Sequence, residues 1–418
     1  MLCEIPKRFE HILLKGYKEF DRECDSNKKD VTEMEERSMA ARLICSLHVR
    51  YFFLSEYKDF DEFDMFKVIR RSSICLSIGF IWTIITFYGY IGFLNVAQKD
   101  DELKSLVLMT FFNLTGLPCP LVLTIIYAII SRNLFELTNK YMNICKGISV
   151  DIKKLYRKLT LRKRFAEILL RVSICISFLH HYVNRTNCFE DIDRRIVCGL
   201  LTPLWYPIET NYFPVRELII LYSTVFTGYF IIIVVTAPID TYFFAELYEY
   251  KVQQLMKLMR QTSLKREQNI NNKRRQLRKI IIHHQEIIEC NILMKNIIST
   301  ISNEIIFGYL PYMASCVTLC IEDFNSAYLF EFILPILGIY VWISGAQKIS
   351  DMDDILAEEA YNMDWYEMDK RLSKDFIFFF MRLQNNKEFK SLFFVLKRPL
   401  LLSMMKTMYS LLMLILQV

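Results

Sequence analysis

Apolar residues in this chain gather into seven long blocks, at 73–94, 105–130, 165–182, 217–247, 298–321, 327–347 and 399–418, separated by charged stretches. Each block is close to the roughly 20 residues that carry a helix across a hydrocarbon core of about 30 Å. Lipid offers no partner to a backbone N–H or C=O, so such blocks must be helical. Strands of a membrane β-barrel would be about half as long and would alternate polar and apolar, which these do not. The pattern predicts an all-α membrane protein with seven transmembrane helices. Residues 1–72 form an N-terminal region, 73–347 the first six spans, 348–398 a polar helical segment and 399–418 the last span.

Two of the polar stretches continue the helices beside them. Residues 248–297 extend the fourth span as far as Met259, break at 261–272, and resume at Lys273 into the fifth span. In 348–398, Leu356, Tyr361, Trp365, Leu372, Phe376, Phe380 and Leu383 recur at spacings of three to seven. A solvated linker would not be this aromatic; a helical face buried against another helix would be. These segments are expected to pack together as an anchor beside the membrane.

Charge sets the orientation. The chain of 418 residues carries net charge +6, and 44 of its 52 Lys and Arg residues fall in 1–72, 131–164, 248–297 and 348–398. The loops on the other side hold six. Basic residues stay in the cytoplasm, so the N-terminus is expected to be cytoplasmic and the C-terminus extracellular. Net positive charge is thus a topology signal, and with no basic stretch carrying interleaved aromatics there is no nucleic-acid footprint. No short apolar core with a small-residue cleavage site opens the chain, which leaves the first span to act as signal anchor.

The largest outer loop, 183–216, contains Asn184-Arg185-Thr186, a possible glycosylation acceptor, and Cys188 and Cys198, a possible disulfide pair among the 12 cysteines. The remaining cysteines suit the role of small apolar packing residues. Catalytic patterns are missing: there is no Gly-rich phosphate loop, no Cys-x-x-Cys and no serine nucleophile elbow. His283 and Glu286 form a His-x-x-Glu, but no following His completes a zinc site, and the pair suits a polar helix face. The sequence therefore implies no enzyme, metal or cofactor.

Several ionisable residues fall inside the blocks. Glu167, Arg171, Asp240, Glu246 and Glu304 sit toward the cytoplasmic ends of their helices, where pairing or snorkelling accommodates them. Lys406 lies two turns into the last span. Pro118 and Pro120 interrupt the second, which can open space between neighbours. The outer halves of the spans carry Tyr88, Tyr90, Phe112, Phe178, His181, Tyr182, Tyr222, Phe226, Phe330 and Phe332, with hydroxyls at Ser177 and Ser223. Tyr90, Phe112, Ser177, Phe178, His181, Tyr222, Phe226 and Phe330 are the candidate lining of a pocket for a small, volatile, apolar ligand; packing between helices and an interfacial aromatic belt would use the same residue types.

A set of short motifs, in order, adds a resemblance. Pro203-Leu204-Trp205-Tyr206-Pro207-Ile208-Glu209 followed by Phe213-Pro214 is similar to the Trp-Tyr-Pro-Phe-Asp stretch that precedes the fourth span of insect odorant receptors, with Glu209 in place of Asp. His284-Gln285 matches a His before their fifth span, Ala360-Tyr361 to Trp365 resembles their Ala-Tyr-x-x-x-Trp helix, and Lys406-Thr407-Met408-Tyr409-Ser410 resembles their terminal Lys-Thr-Ser-Tyr-Ser. The Gly-Leu-x-Pro entry to the first span is only echoed by Gly79-Phe80-Ile81-Trp82.

That resemblance implies a ligand-gated, non-selective cation channel in the plasma membrane of olfactory sensory neurons. It implies a heterotetramer in which this chain is the tuning subunit beside odorant co-receptor subunits, because 248–297 lacks the co-receptor's long insertion. It also implies that the last span lines the pore, with Leu414 and Val418 as apolar gate residues and Gln417 facing the conduit. A gustatory receptor of the same fold and a secondary transporter are the alternatives.

Overall fold

The computed structural model describes residues 65–97, scattered helical positions between 121 and 179, 196–197, 204–210, 213–261, 270–322, 326–368, 370–384, 388–391 and 394–416. The continuous helices are α1 (Met65–Ala97), α2 (Val215–Gln261), α3 (Ile270–Glu322), α4 (Ser326–Tyr361), α5 (Lys370–Gln384) and α6 (Arg398–Leu416). A 3-10 turn, Trp365–Glu367, separates α4 from α5, and strands β1 (Ile196–Val197) and β2 (Leu204–Trp205) pair antiparallel with Ile196 opposite Trp205. Among the described residues the architecture is all-helical apart from this small hairpin, in keeping with the hydropathy blocks.

Helices α2, α3 and α4 each carry an apolar block and run on without a break into a polar one. At about 1.5 Å per residue, the 47 residues of α2 and the 53 of α3 extend roughly 70 and 80 Å. The continuation of the fourth span through Met259 and the entry into the fifth from Lys273 are thus observed as single helices. Pro238 in α2 and Pro335 in α4 sit inside these helices; each removes one backbone donor without ending the helix. Hydroxyls are satisfied locally, as where Ser302 Oγ donates to the carbonyl of Ile298 and Thr407 Oγ1 to that of Ser403 at 3.0 Å.

The polar halves of α2, α3 and α4 pack with α5 and the start of α6 into a common helical base. Tyr248, Leu255, Ile280, Met294, Trp342, Ile349, Leu356 and Phe376 are buried in one continuous core. Along α5 the buried seam is Leu372, Phe376, Phe379 and Leu383, the i, i+4, i+7, i+11 register of one helix face. The seam expected from sequence is corrected at Tyr361, which is exposed. Phe380 is partly buried against the core, with Phe379 deeper, and Tyr361 lies beside Phe380 with ring centroids 6.0 Å apart. Spacing between the end of α4 and α5 does not carry a face across the 3-10 turn, where the chain changes direction.

Two close approaches hold α4 against α2. A Cβ built at Gly345 would lie 3.2 Å from the Cα of Tyr242, so the two backbones approach closely and a side chain here would need them to part by a few tenths of an ångström. One turn away, Lys348 Nζ lies 2.5 Å from Glu246 Oε1 and 2.5 Å from Glu249 Oε2. Glu246 is 1% exposed, so the pairing expected for this carboxylate is present. At the far end, Arg260 binds both oxygens of Glu359 at 2.7 Å. Between α5 and α6, the Leu396 amide donates to the Phe389 carbonyl at 2.9 Å, and Lys397 reaches Glu388 at 2.6 Å, closing a short turn that sets the start of α6.

Removing one partner of a buried ion pair costs more than the pair contributes, because the other charge keeps its burial. Lys348→Met should therefore destabilise the protein by on the order of 3 kcal/mol, measured by thermal unfolding of the purified chain. Adding Glu246→Gln should recover much of that loss, a coupling that independent sites would not show.

Candidate functional site

Two places in the fold gather chemically useful side chains. The first is where the hairpin meets α1. Thr86, Tyr90 and Phe93 are buried along one stripe of α1, while Phe80, Ile81, Ile84, Phe87 and Tyr88 on the other side are exposed. Trp205 of β2 packs against α1 at Gly92, to one side of this stripe: a Cβ at Gly92 would come 2.1 Å from Trp205 Cε3. Tyr206, next in the chain, is partly buried, as are Ile219 and Ile220 at the start of α2. The hairpin thus lies against the end of α1, and the chain enters α2 after Pro214.

Of the sequence-derived lining residues, Tyr90 is buried on this stripe and Tyr222 is half-buried near the start of α2. Phe226 and Phe330 fall on α2 and α4 respectively, and Leu414 on the last turns of α6. Phe112, Ser177, Phe178, His181, Gln417, Val418, Asn184, Cys188 and Cys198 lie outside the described residues. Lys406 is exposed on α6. Trp205 and Gly92 were not among the sequence candidates. The motif containing Trp205 was visible, but which face of which helix it covers depends on how a loop over 100 residues later folds back.

The second place is a cavity of about 630 Å³ in the helical base. At its back, α2, α3 and α4 meet through a polar triad. Tyr248 Oη donates to Asp353 Oδ1, and the Asn291 amide donates to Tyr248 Oη at 3.2 Å and to Asp353 Oδ2 at 3.3 Å. Burial pushes the Asp353 carboxyl up to about 6; the Tyr248 hydrogen bond, the Lys295 charge and the Asn291 hydrogen bond pull against that rise, and Asp354 adds to it. On the α5 side, His284 packs edge-on against Phe379 with ring centroids 5.0 Å apart. Burial, helped by the charges of Arg382 and His283, holds its imidazole down at about 4. His283 points elsewhere, 3.4 Å from Glu286, which is the polar helix face that its spacing suggested. Among the described residues no cluster of His, Cys, Asp and Glu could hold a metal ion.

These geometries set two expected outcomes. Gly92→Ala should force Trp205 aside and cost about 1–3 kcal/mol of stability, with much of the loss recovered by Gly92→Ala/Trp205→Ala in thermal unfolding. The Asp353 carboxyl binds its proton more tightly in the fold than the unfolded value of 3.8 allows. Its contribution to stability is therefore fully present below pH 3.8 and is lost as pH rises through about 6. His284 acts oppositely: its contribution is present above pH 6.5 and is lost as pH falls through about 4. Asp353→Asn removes only the first. The stability difference between wild type and this variant should move in favour of wild type by up to about 3 kcal/mol between pH 8 and pH 4.

Comparison with known proteins places the chain. Its fold is similar to that of the insect olfactory receptor OR5 from Machilis hrabei in complex with eugenol, with TM-score 0.71 and 15% identity, covering 92% of this chain and 99% of that one. A second structure of OR5 from Machilis hrabei gives TM-score 0.68 and 17% identity over the same coverage. No curated protein matches the sequence. Among the described residues no helix is long and apolar enough to cross a membrane, so the multi-pass character is carried by the family. The model of the 7tm odorant receptor family matches residues 149–409, which include the hairpin, the helical base and most of α6. On that match the chain belongs to the 7tm odorant receptor family, whose members are multi-pass membrane receptors and not enzymes.

Proposed function

We propose that this odorant receptor is the tuning subunit of an odorant-gated, non-selective cation channel, assembled with co-receptor subunits in the plasma membrane of olfactory sensory neurons. The family match across residues 149–409 carries the reading. In this reading the helical base lies in the cytoplasm and joins the subunits, and the exposed apolar side of α1 faces lipid. Helix α6 borders the conduit, with Leu414 and Val418 closing it by dewetting and Gln417 facing the ion path.

Ligand binding belongs to the outer half, where Tyr90 is buried on α1 and Trp205 packs nearby at Gly92. Phe112, Ser177, Phe178, His181, Tyr222, Phe226 and Phe330 complete the proposed lining. OR5 from Machilis hrabei was solved in complex with eugenol, a small aromatic molecule; a ligand of comparable size and polarity suits this set. Asn184 is proposed as a glycosylation acceptor and Cys188 with Cys198 as a disulfide pair in the outer loop. A ligand that fits the open arrangement better shifts the population toward conduction by its difference in affinity for the two states.

Co-expression with the co-receptor, followed by current recording against a panel of volatiles, tests the reading. A ligand-evoked cation current supports it. Current without the co-receptor, driven by a tastant, or uptake coupled to an ion gradient, overturns it. With an active volatile in hand, Tyr90→Ala should raise the half-maximal concentration about tenfold, equivalent to roughly 1.4 kcal/mol, with maximal current retained. An epitope after Val418 should be labelled by antibody on intact cells.

A further inference from the structure

We infer that Lys406 sets charge selectivity in the ion path: its ammonium faces the water of the conduit and disfavours divalent over monovalent cations. The inference rests on the reading of α6 as the helix that borders the conduit.

Helix α6 has two unlike sides. It packs on α3 and α4. Leu400, Met404 and Met408 are buried at i, i+4 and i+8, and Leu401, Met405 and Leu412 are half-buried beside them. At 3.6 residues per turn these six span an arc of about 140°, and all are Leu or Met. The rest of the circumference is open. Leu402, Tyr409 and Met413 are exposed on one half of it, and Ser403, Lys406, Thr407 and Ser410 on the other. A helix whose open side met only lipid would turn its polar groups toward its neighbours. In α6 every polar side chain described between 399 and 413 stands on the open side.

The hydroxyls alone would not decide what lies there. Thr407 Oγ1 donates to the carbonyl of Ser403 and Ser410 Oγ to that of Lys406, both at 3.0 Å, so their own helix satisfies them. Lys406 decides it. Its ammonium has no hydrogen bond or ion pair to any of the described residues, whereas Lys348 and Lys397 each hold a carboxylate. It stands eight residues beyond Arg398, about 12 Å along the helix axis, inside the apolar block. An unpaired charge at that depth needs water, and beside a conduit-bordering helix the nearest water is in the ion path.

The consequence follows from Coulomb's law. At about 8 Å in water-like surroundings, one positive charge lowers entry of a monovalent cation about twofold and of a divalent one about fivefold. Each copy of this chain therefore shifts the assembly toward monovalent ions by about twofold. The effect weakens as salt screens the charge.

The test co-expresses the full chain with the co-receptor and opens it with the volatile of the panel that gives the largest wild-type current. The Ca²⁺ to Na⁺ permeability ratio is read from reversal potentials. Lys406→Gln should raise the ratio about twofold, and more at low ionic strength, while Lys406→Arg leaves it unchanged. Lys406→Cys keeps the test decisive if Lys406→Gln does not reach the membrane. A methanethiosulfonate bearing trimethylammonium should return its ratio toward wild type, and one bearing sulfonate should raise it further. The wild-type chain, with 12 native cysteines, sets the background. Equal ratios in wild type and Lys406→Gln, or equal effects of the two reagents, overturn the inference and leave the functional reading standing; a lysine bent back to the lipid interface would give that result. A wild-type assembly that passes no current to any volatile overturns the reading itself, and the inference with it.

Discussion

Gly345 has no Cβ, and α4 can therefore bring its backbone to van der Waals distance of Thr241 and Tyr242 on α2. That contact places Lys348, one turn further on, within reach of Glu246 and Glu249. The rest of the base follows from it. With α2 and α4 fixed to each other, Tyr248 and Asp353 face one another, and α3 fills the groove beside them with Asn291 between the two. Leu356 shares the buried core with Phe376 and Phe379 of α5. A side chain at position 345 would need the two backbones to part by a few tenths of an ångström.

Continuity of the helices makes this packing matter for a receptor. Helices α2, α3 and α4 pass unbroken from their apolar halves into the base. The short turn at 388–397, closed by Glu388 and Lys397, ties α5 to the start of α6. The same base holds two oppositely tuned titrating groups, Asp353 and His284, whose burial rather than their neighbours dominates their shifts.

At the other end, the hairpin is anchored by one large contact. Trp205 rests on Gly92, and the absence of a side chain there is what lets the indole come this close to the helix. Tyr206, next to it, is partly buried.

The sequence by itself determined the helices, their apolar and polar halves and the family. Hydrocarbon thickness fixes how long an apolar block must be, and a helix must satisfy its own backbone wherever lipid surrounds it. Those constraints act residue by residue along the chain, so they are legible without coordinates. They also made Leu372, Phe376 and Leu383 recognisable as a buried face, and Glu246 as a paired carboxylate. What only the tertiary structure decided is which faces meet. Tyr361 is exposed where spacing assigned it to a buried face, because a turn resets the helical phase between α4 and α5. Gly92 was one small residue among many in an apolar block until Trp205 arrived from a distant loop. The triad of Tyr248, Asn291 and Asp353 draws one member from each of three helices, separated by 43 and 62 positions. No local periodicity encodes such a meeting; it comes from the crossing of rods whose positions are set by the close approach at Gly345.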